Sequence, residues 1–78
     1  MKLEYDPKNN IAYMSLRSVK AEVITLSLSD QLNVDIAPDG TIYGIEFMNA
    51  NEQLRGEDKG DLVVVNNENG KSQHIALS

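Results

Sequence analysis

Two matched segments dominate the first fifty residues, and each reads as a pair of short strands closed by a tight turn. The first is Tyr5-Asp6-Pro7, a polar turn and Ile11-Ala12-Tyr13-Met14. The second is Asn33-Val34-Asp35, Pro38-Asp39-Gly40 and Gly44-Ile45-Glu46. A residue that precedes proline is pushed into extended backbone. Proline presets φ for the first corner of a turn, and glycine takes the positive φ that closes a short hairpin. A chain punctuated in this way builds antiparallel β structure out of hairpins.

The segments between these turns agree. Lys2 to Asp6 predicts a short strand, and Lys8-Asn9-Asn10 supplies the turn after it. From Ile11 to Arg17 the chain alternates, with Ala12, Met14 and Leu16 on one face and Tyr13, Ser15 and Arg17 on the other. Ala21 to Leu28 is rich in β-branched and aliphatic residues and reads as a strand, with a helical turn as the alternative. Ser29-Asp30-Gln31 turns the chain into Leu32 to Ile36, where Leu32, Val34 and Ile36 alternate with Asn33 and Asp35. Thr41 to Met48 follows the Pro38-Asp39-Gly40 turn, and the bulk of Tyr43, Ile45 and Phe47 turns that face towards the core.

Asn49 to Arg55 is the segment with helical character: Asn49 stands at a cap position, Glu52 occupies the capping-box place three residues on, and Gly56 ends the run. After the charged loop from Gly56 to Gly60, Leu62 to Val65 and Ser72 to Leu77 flank Asn69-Gly70, a second kind of hairpin signal. The fold class is mainly β, a small antiparallel sheet built from hairpins with six or seven strands and one short helix after the Gly-Ile-Glu strand. The whole of residues 1–78 is expected to form a single small β domain, with the last hairpin, 61–77, added to it.

The aromatic-Asp-Pro turn at Tyr5-Asp6-Pro7, the alternating strand ending in Arg17, the Asp-Gly turn at Asp39-Gly40 and above all Gly44-Ile45-Glu46-Phe47 resemble a family of small bacterial proteins, Domain of Unknown Function 2283. The resemblance covers residues 2–54. Ala37-Pro38-Asp39-Gly40 departs from it, since the family more often has acidic residues before the Asp-Gly, and the tail from Gly56 to Ser78 looks like an added hairpin. The likeness implies the fold and brings no activity with it.

At 78 residues, a domain buries only about 60% of the surface that its unfolded chain exposes. Small scaffolds are commonly stapled by disulfides or metals, but the chain has no cysteine and one histidine, so self-association is the remaining common remedy. A homodimer is therefore expected, with a monomer of modest core as the alternative. Seven basic residues, Lys2, Lys8, Arg17, Lys20, Arg55, Lys59 and Lys71, are scattered among twelve acidic ones, for a formal charge of −5. Without a clustered basic stripe to neutralise phosphates, a nucleic-acid role is disfavoured, whereas an acidic surface suits a basic protein partner. The charged start and the short aliphatic run from Leu62 to Val65 fit neither a signal peptide nor a membrane span. With no cysteine, this places the chain in the cytoplasm as an expectation.

Asp35, Asp39 and Glu46 fall on paired strands and their turn, so they are candidates for a polar cluster; neighbouring carboxylates can do acid-base work or hold a hard cation. Set against that, each can equally be a solvent-facing strand or turn acid. Glu46 shares its strand face with Ile42, Gly44 and Met48, and an acid so placed calls for a partner, for which Arg17 is the first candidate. Tyr5, Tyr13 and Tyr43 can form a stacking platform for a ligand or serve as cross-strand packing. His74 has no neighbour in sequence that suggests a triad or zinc site and reads as a surface strand histidine. No cofactor motif is present.

Two function classes follow. The first is a non-enzymatic protein-interaction module, possible in an antitoxin-like form directed at a small basic protein, and motivated by strand edges that can pair with another chain. The second is a carboxylate-based metal-dependent enzyme or small-molecule binder using Asp35, Asp39 and Glu46.

Overall fold

The computed structural model describes residues 1–18, 22–54, 56 and 60–76. Seven strands and one short helix follow one another as β1 (Lys2–Asp6), β2 (Ile11–Ser15), β3 (Ile24–Ser29), β4 (Leu32–Ile36), β5 (Ile42–Met48), α1 (Ala50–Leu54), β6 (Asp61–Val65) and β7 (Ser72–Ala76). The protein is mainly β, as its turn chemistry predicts. The expected starting point of the third strand, Ala21, the end of the helix at Arg55 and the last hairpin residue, Leu77, lie outside the described residues. The second strand stops at Ser15 rather than Arg17, because beyond it Leu16 and Arg17 both turn their amides to the Tyr43 carbonyl.

β1 to β5 form one antiparallel sheet in the order β1-β2-β5-β4-β3, and β6 with β7 forms a two-stranded sheet of its own. The order follows from the two matched hairpins. β1 and β2 pair locally, β3, β4 and β5 pair in a meander, and β2 then joins β5, which becomes the central strand.

Local chemistry closes each turn. Asp6 accepts hydrogen bonds from the backbone amide of Lys8 at 2.9 Å and the side-chain amide of Asn9 at 2.8 Å, which bends the chain into β2. At the β4–β5 turn Ala37 donates to the Thr41 carbonyl at 2.9 Å and Gly40 takes φ 91°. Pro38-Asp39-Gly40 is thus a three-residue loop whose last position demands glycine. The β6–β7 loop is wider: Asn66 donates to the Lys71 carbonyl at 2.8 Å, and Gly70 takes φ 73° at its end.

The helix is capped from a distance. Asn49 and Glu52 occupy capping-box positions in sequence, but the side chain of Asn10, in the β1–β2 turn, makes the cap: its oxygen accepts from the Asn51 amide at 2.9 Å and its nitrogen donates to the Asn51 side chain at 2.8 Å. The Asn10 carbonyl also takes the Ala50 amide at 3.0 Å. Both Asn10 and Asn49 have positive φ, 55° and 51°, a conformation that asparagine tolerates better than most residues.

Strand register sorts the side chains of the large sheet onto two faces. One face carries Leu3, Ala12, Met14, Ile45, Phe47, Val34, Leu32 and Leu26, all brought together as direct cross-strand partners or successive alternate positions. The opposite face carries Glu4, Tyr13, Glu46, Asn33, Gly44, Asp35 and Thr25. The buried hydrophobic residues are only Ala12, Ala37 and Ala50, and no large side chain is fully buried among the described residues. The face that Tyr43, Ile45 and Phe47 were expected to direct into a core is therefore only half-covered.

Candidate functional site: a tyrosine and carboxylate network on the polar face

The polar face is organised around Tyr13. Its strand β2 lies beside β5, and β4 lies on the far side of β5. Gly44 of β5 sits between Ser15 on one side and Asp35 on the other. With no side chain there, the Tyr13 ring lies flat across the central strand; a Cβ at Gly44 would collide with the phenol oxygen and ring. The hydroxyl then reaches Asp35 and donates a 2.6 Å hydrogen bond to Oδ2. Thr25, one strand further out, donates to Asp35 Oδ1 at 2.6 Å. Four adjacent strands are joined by one carboxylate and one glycine.

Glu46 lies directly opposite Tyr13 on β2 and Asn33 on β4. It accepts a 2.9 Å hydrogen bond from the Asn33 side-chain amide. This replaces the Arg17 partner expected from sequence. The register explains why: Ser15 already pairs with Gly44, so Arg17 projects beyond the end of β2, about 13 Å along the strand direction from the position opposite Glu46. Arg17 instead lies near the β4–β5 turn, where hydrogen bonding from Thr41, whose amide donates to Asp39 at 2.9 Å, holds the Asp39 carboxyl below the usual carboxylate range, with the Arg17 charge a minor contribution. Of the four candidates, Asp35 and Glu46 share the polar face, each with its own hydrogen-bond partners, and Asp39 and Arg17 belong to the turn region at its end.

The hydrogen bond to Asp35 pushes the Tyr13 phenol up to about 12, with burial and the negative charges of Asp35 and Glu46 adding to it. Ionising the phenol would place a third negative charge beside two carboxylates and destroy the donor that Asp35 uses. At neutral pH Tyr13 is thus a neutral donor that bridges the strands. The three tyrosines do not form one platform, because Tyr5 pairs with Ala12 and Tyr13 with Glu46, positions on opposite faces of the sheet.

Tyr13 also lines two open clefts. One, of about 390 Å³, is shared with Lys2, Ser15 and Arg17; the other, of about 250 Å³, is shared with Glu4, Tyr5, Asp6 and Ile11. Asp35 and Glu46 line neither. Among the described residues, no three His, Cys, Asp or Glu side chains converge on a point where a cation could sit. No helix among the described residues is long and apolar enough to cross a membrane. Sequence reasoning singled out Asp35 and Glu46 but missed Asn33 and Thr25, which carry only the signal of polar positions on alternating strands.

No curated protein and no solved structure matches the chain. A family model, described as protein of unknown function (DUF2283), matches residues 2–51, the span from β1 through Asn10, Tyr13, Asp35, Gly44, Glu46 and the capped start of α1. The resemblance carried by the Asp-Pro turn and Gly44-Ile45-Glu46-Phe47 is thereby confirmed, and the chain belongs to the DUF2283 family.

Proposed function

We propose that the protein is a non-enzymatic protein-interaction module that self-associates through its five-stranded sheet. What carries this reading is a mismatch of area. The accessible surface is 6051 Å², whereas a compact protein of 8.6 kDa exposes about 4,700 Å². The excess, roughly 1,300 Å², is that of a chain that has not closed a full core on itself. The absence of any fully buried large side chain among the described residues points the same way, since a single sheet with one apolar face is completed by association with other chains.

The formal charge of −5 favours a basic protein as any further partner, because complementary charge speeds encounter and suppresses wrong pairings. An antitoxin-like role beside a small basic protein is one form of this reading. The polar network favours a structural part over a catalytic one, because Tyr13, Thr25 and Asn33 satisfy Asp35 and Glu46 within the sheet. Sedimentation equilibrium at micromolar concentration tests the proposal. A particle of twice 8.6 kDa is the expected result, and a homogeneous monomer up to about 100 µM, which corresponds to self-association weaker than roughly −5.5 kcal/mol, would exclude self-association.

A further inference from the structure

We infer that two copies join along β3, edge to edge and antiparallel, into one continuous sheet. This rests on the self-association proposed above and names the strand responsible. The two edges of the large sheet differ in kind. β1 carries Lys2, Glu4 and Asp6, with Lys2 and Glu4 paired at 3.3 Å, and Pro7 follows it. Charges and proline are the usual means by which an edge strand avoids pairing with another chain. β3, Ile-Thr-Leu-Ser-Leu-Ser, has neither, and all six of its residues are exposed.

The apolar exposure of the sheet is also concentrated there. Ile24, Leu26 and Leu28 are 59%, 42% and 63% exposed. An unprotected edge with this composition gains both ladder hydrogen bonds and apolar cross-strand partners when another strand is added.

The occupant that fits is a second copy, because the strand is complementary to itself. Ile24, Leu26 and Leu28 alternate with Thr25, Ser27 and Ser29, and this pattern reads nearly the same in both directions. In an antiparallel pair related by a two-fold axis through Leu26, Ile24 opposes Leu28 and Thr25 opposes Ser27; with the axis through Thr25, Ile24 opposes Leu26, the self-matching that an isologous interface requires. The register irregularity between Ser27 and Ser29 lies at the far end and leaves Ile24 to Ser27 regular. Joined in this way, the apolar faces of the two copies fall on the same side of a ten-stranded sheet, which doubles the surface offered to a further partner. The β6–β7 sheet also has free edges, but Asp61 and His74 lie on them, so they are less suited to pairing.

The chain has no cysteine, so single substitutions report the contact directly. Thr25→Cys and Leu26→Cys are compared under mild oxidation with Glu4→Cys on the opposite edge. Residues facing one another across an antiparallel pair have Cα atoms about 4.5–5.5 Å apart, within disulfide range. The expected result is a covalent dimer from whichever β3 position lies on the axis and none from Glu4→Cys. Ser27→Lys, which leaves the apolar face intact, should raise the dimer dissociation constant at least tenfold. If the wild-type protein sediments as a dimer but neither β3 cysteine cross-links and Ser27→Lys dimerises normally, the β3 assignment is wrong while self-association stands. A wild-type monomer would overturn both.

Discussion

Tyr13 and Asp35, 22 residues apart in sequence, meet at 2.6 Å across the bare backbone of Gly44. The strand between them has to lack a side chain for this to happen. β2 and β4 never touch as strands, yet the phenol spans β5 and ties them together. The network is thus a cross-sheet brace, with Thr25 extending it to the outer strand.

Gly44 should accordingly be intolerant of any side chain. Gly44→Ala places a Cβ inside the Tyr13 phenol and Gly44→Val adds more bulk, so losses of about 1–3 kcal/mol are expected from overpacking. Thermal or urea unfolding measures this. Combining Gly44→Ala with Tyr13→Ala should recover part of the loss, because the two residues share one space; strictly additive effects would show that they do not.

The brace also has a pH signature. Tyr13 holds its proton to about 12 in the folded state, against 10.0 ordinarily. Between these values the unfolded chain loses the proton while the folded protein keeps it, so the unfolded state binds fewer protons and stability falls as pH rises. This contribution is fully present below pH 10 and is lost through pH 12. Spectrophotometric titration should show one of the three tyrosines ionising late, and Tyr13→Phe should remove that phase. Tyr13→Phe should also cost about 1.5–3 kcal/mol at neutral pH, the usual range for a hydrogen bond to a charged acceptor.

Loss of the distant cap is the third expectation. Asn10→Ala removes the acceptor for the Asn51 amide and the donor to the Asn51 side chain and places alanine at φ 55°. A destabilisation of about 1–2 kcal/mol is expected, together with faster amide exchange at Asn51. Asn49→Gly should be tolerated far better, since glycine adopts positive φ without strain. Full stability in Asn10→Gly, which keeps the backbone unstrained but lacks the side chain, would show that backbone conformation, not the cap, matters.

Glu46→Ala strands the side-chain amide of half-buried Asn33 and should cost about 1 kcal/mol, whereas Arg17→Ala should leave stability unchanged to within about 0.5 kcal/mol. Unchanged melting of Glu46→Ala would show that its bond to Asn33 contributes nothing to stability. Calorimetry with calcium, magnesium and manganese is expected to give no micromolar binding, since a hard cation takes about six oxygen ligands. Binding that Asp35→Asn or Glu46→Gln abolished would instead favour the metal-dependent alternative.

Strands and turns were readable because their causes are local. Asp6-Pro7, Pro38-Asp39-Gly40 and the alternation of Leu32 to Ile36 act within a few residues, and their predicted places agree with β1, β4 and the turn before β5. Alternation also told which residues share a face. It could not tell which strands become neighbours, because an alternating strand can pair with any other that offers the same pattern. Only the closing of the sheet between β2 and β5 set Tyr13 opposite Glu46, laid its ring over Gly44 and brought Asp35 within reach. The register of β4 on β5 gave Glu46 to Asn33 instead of Arg17, and that of β2 on β5 gave the cap of α1 to Asn10 instead of Asn49. Local sequence specifies backbone conformation, whereas partners 13 to 41 residues apart meet only once the whole sheet has formed.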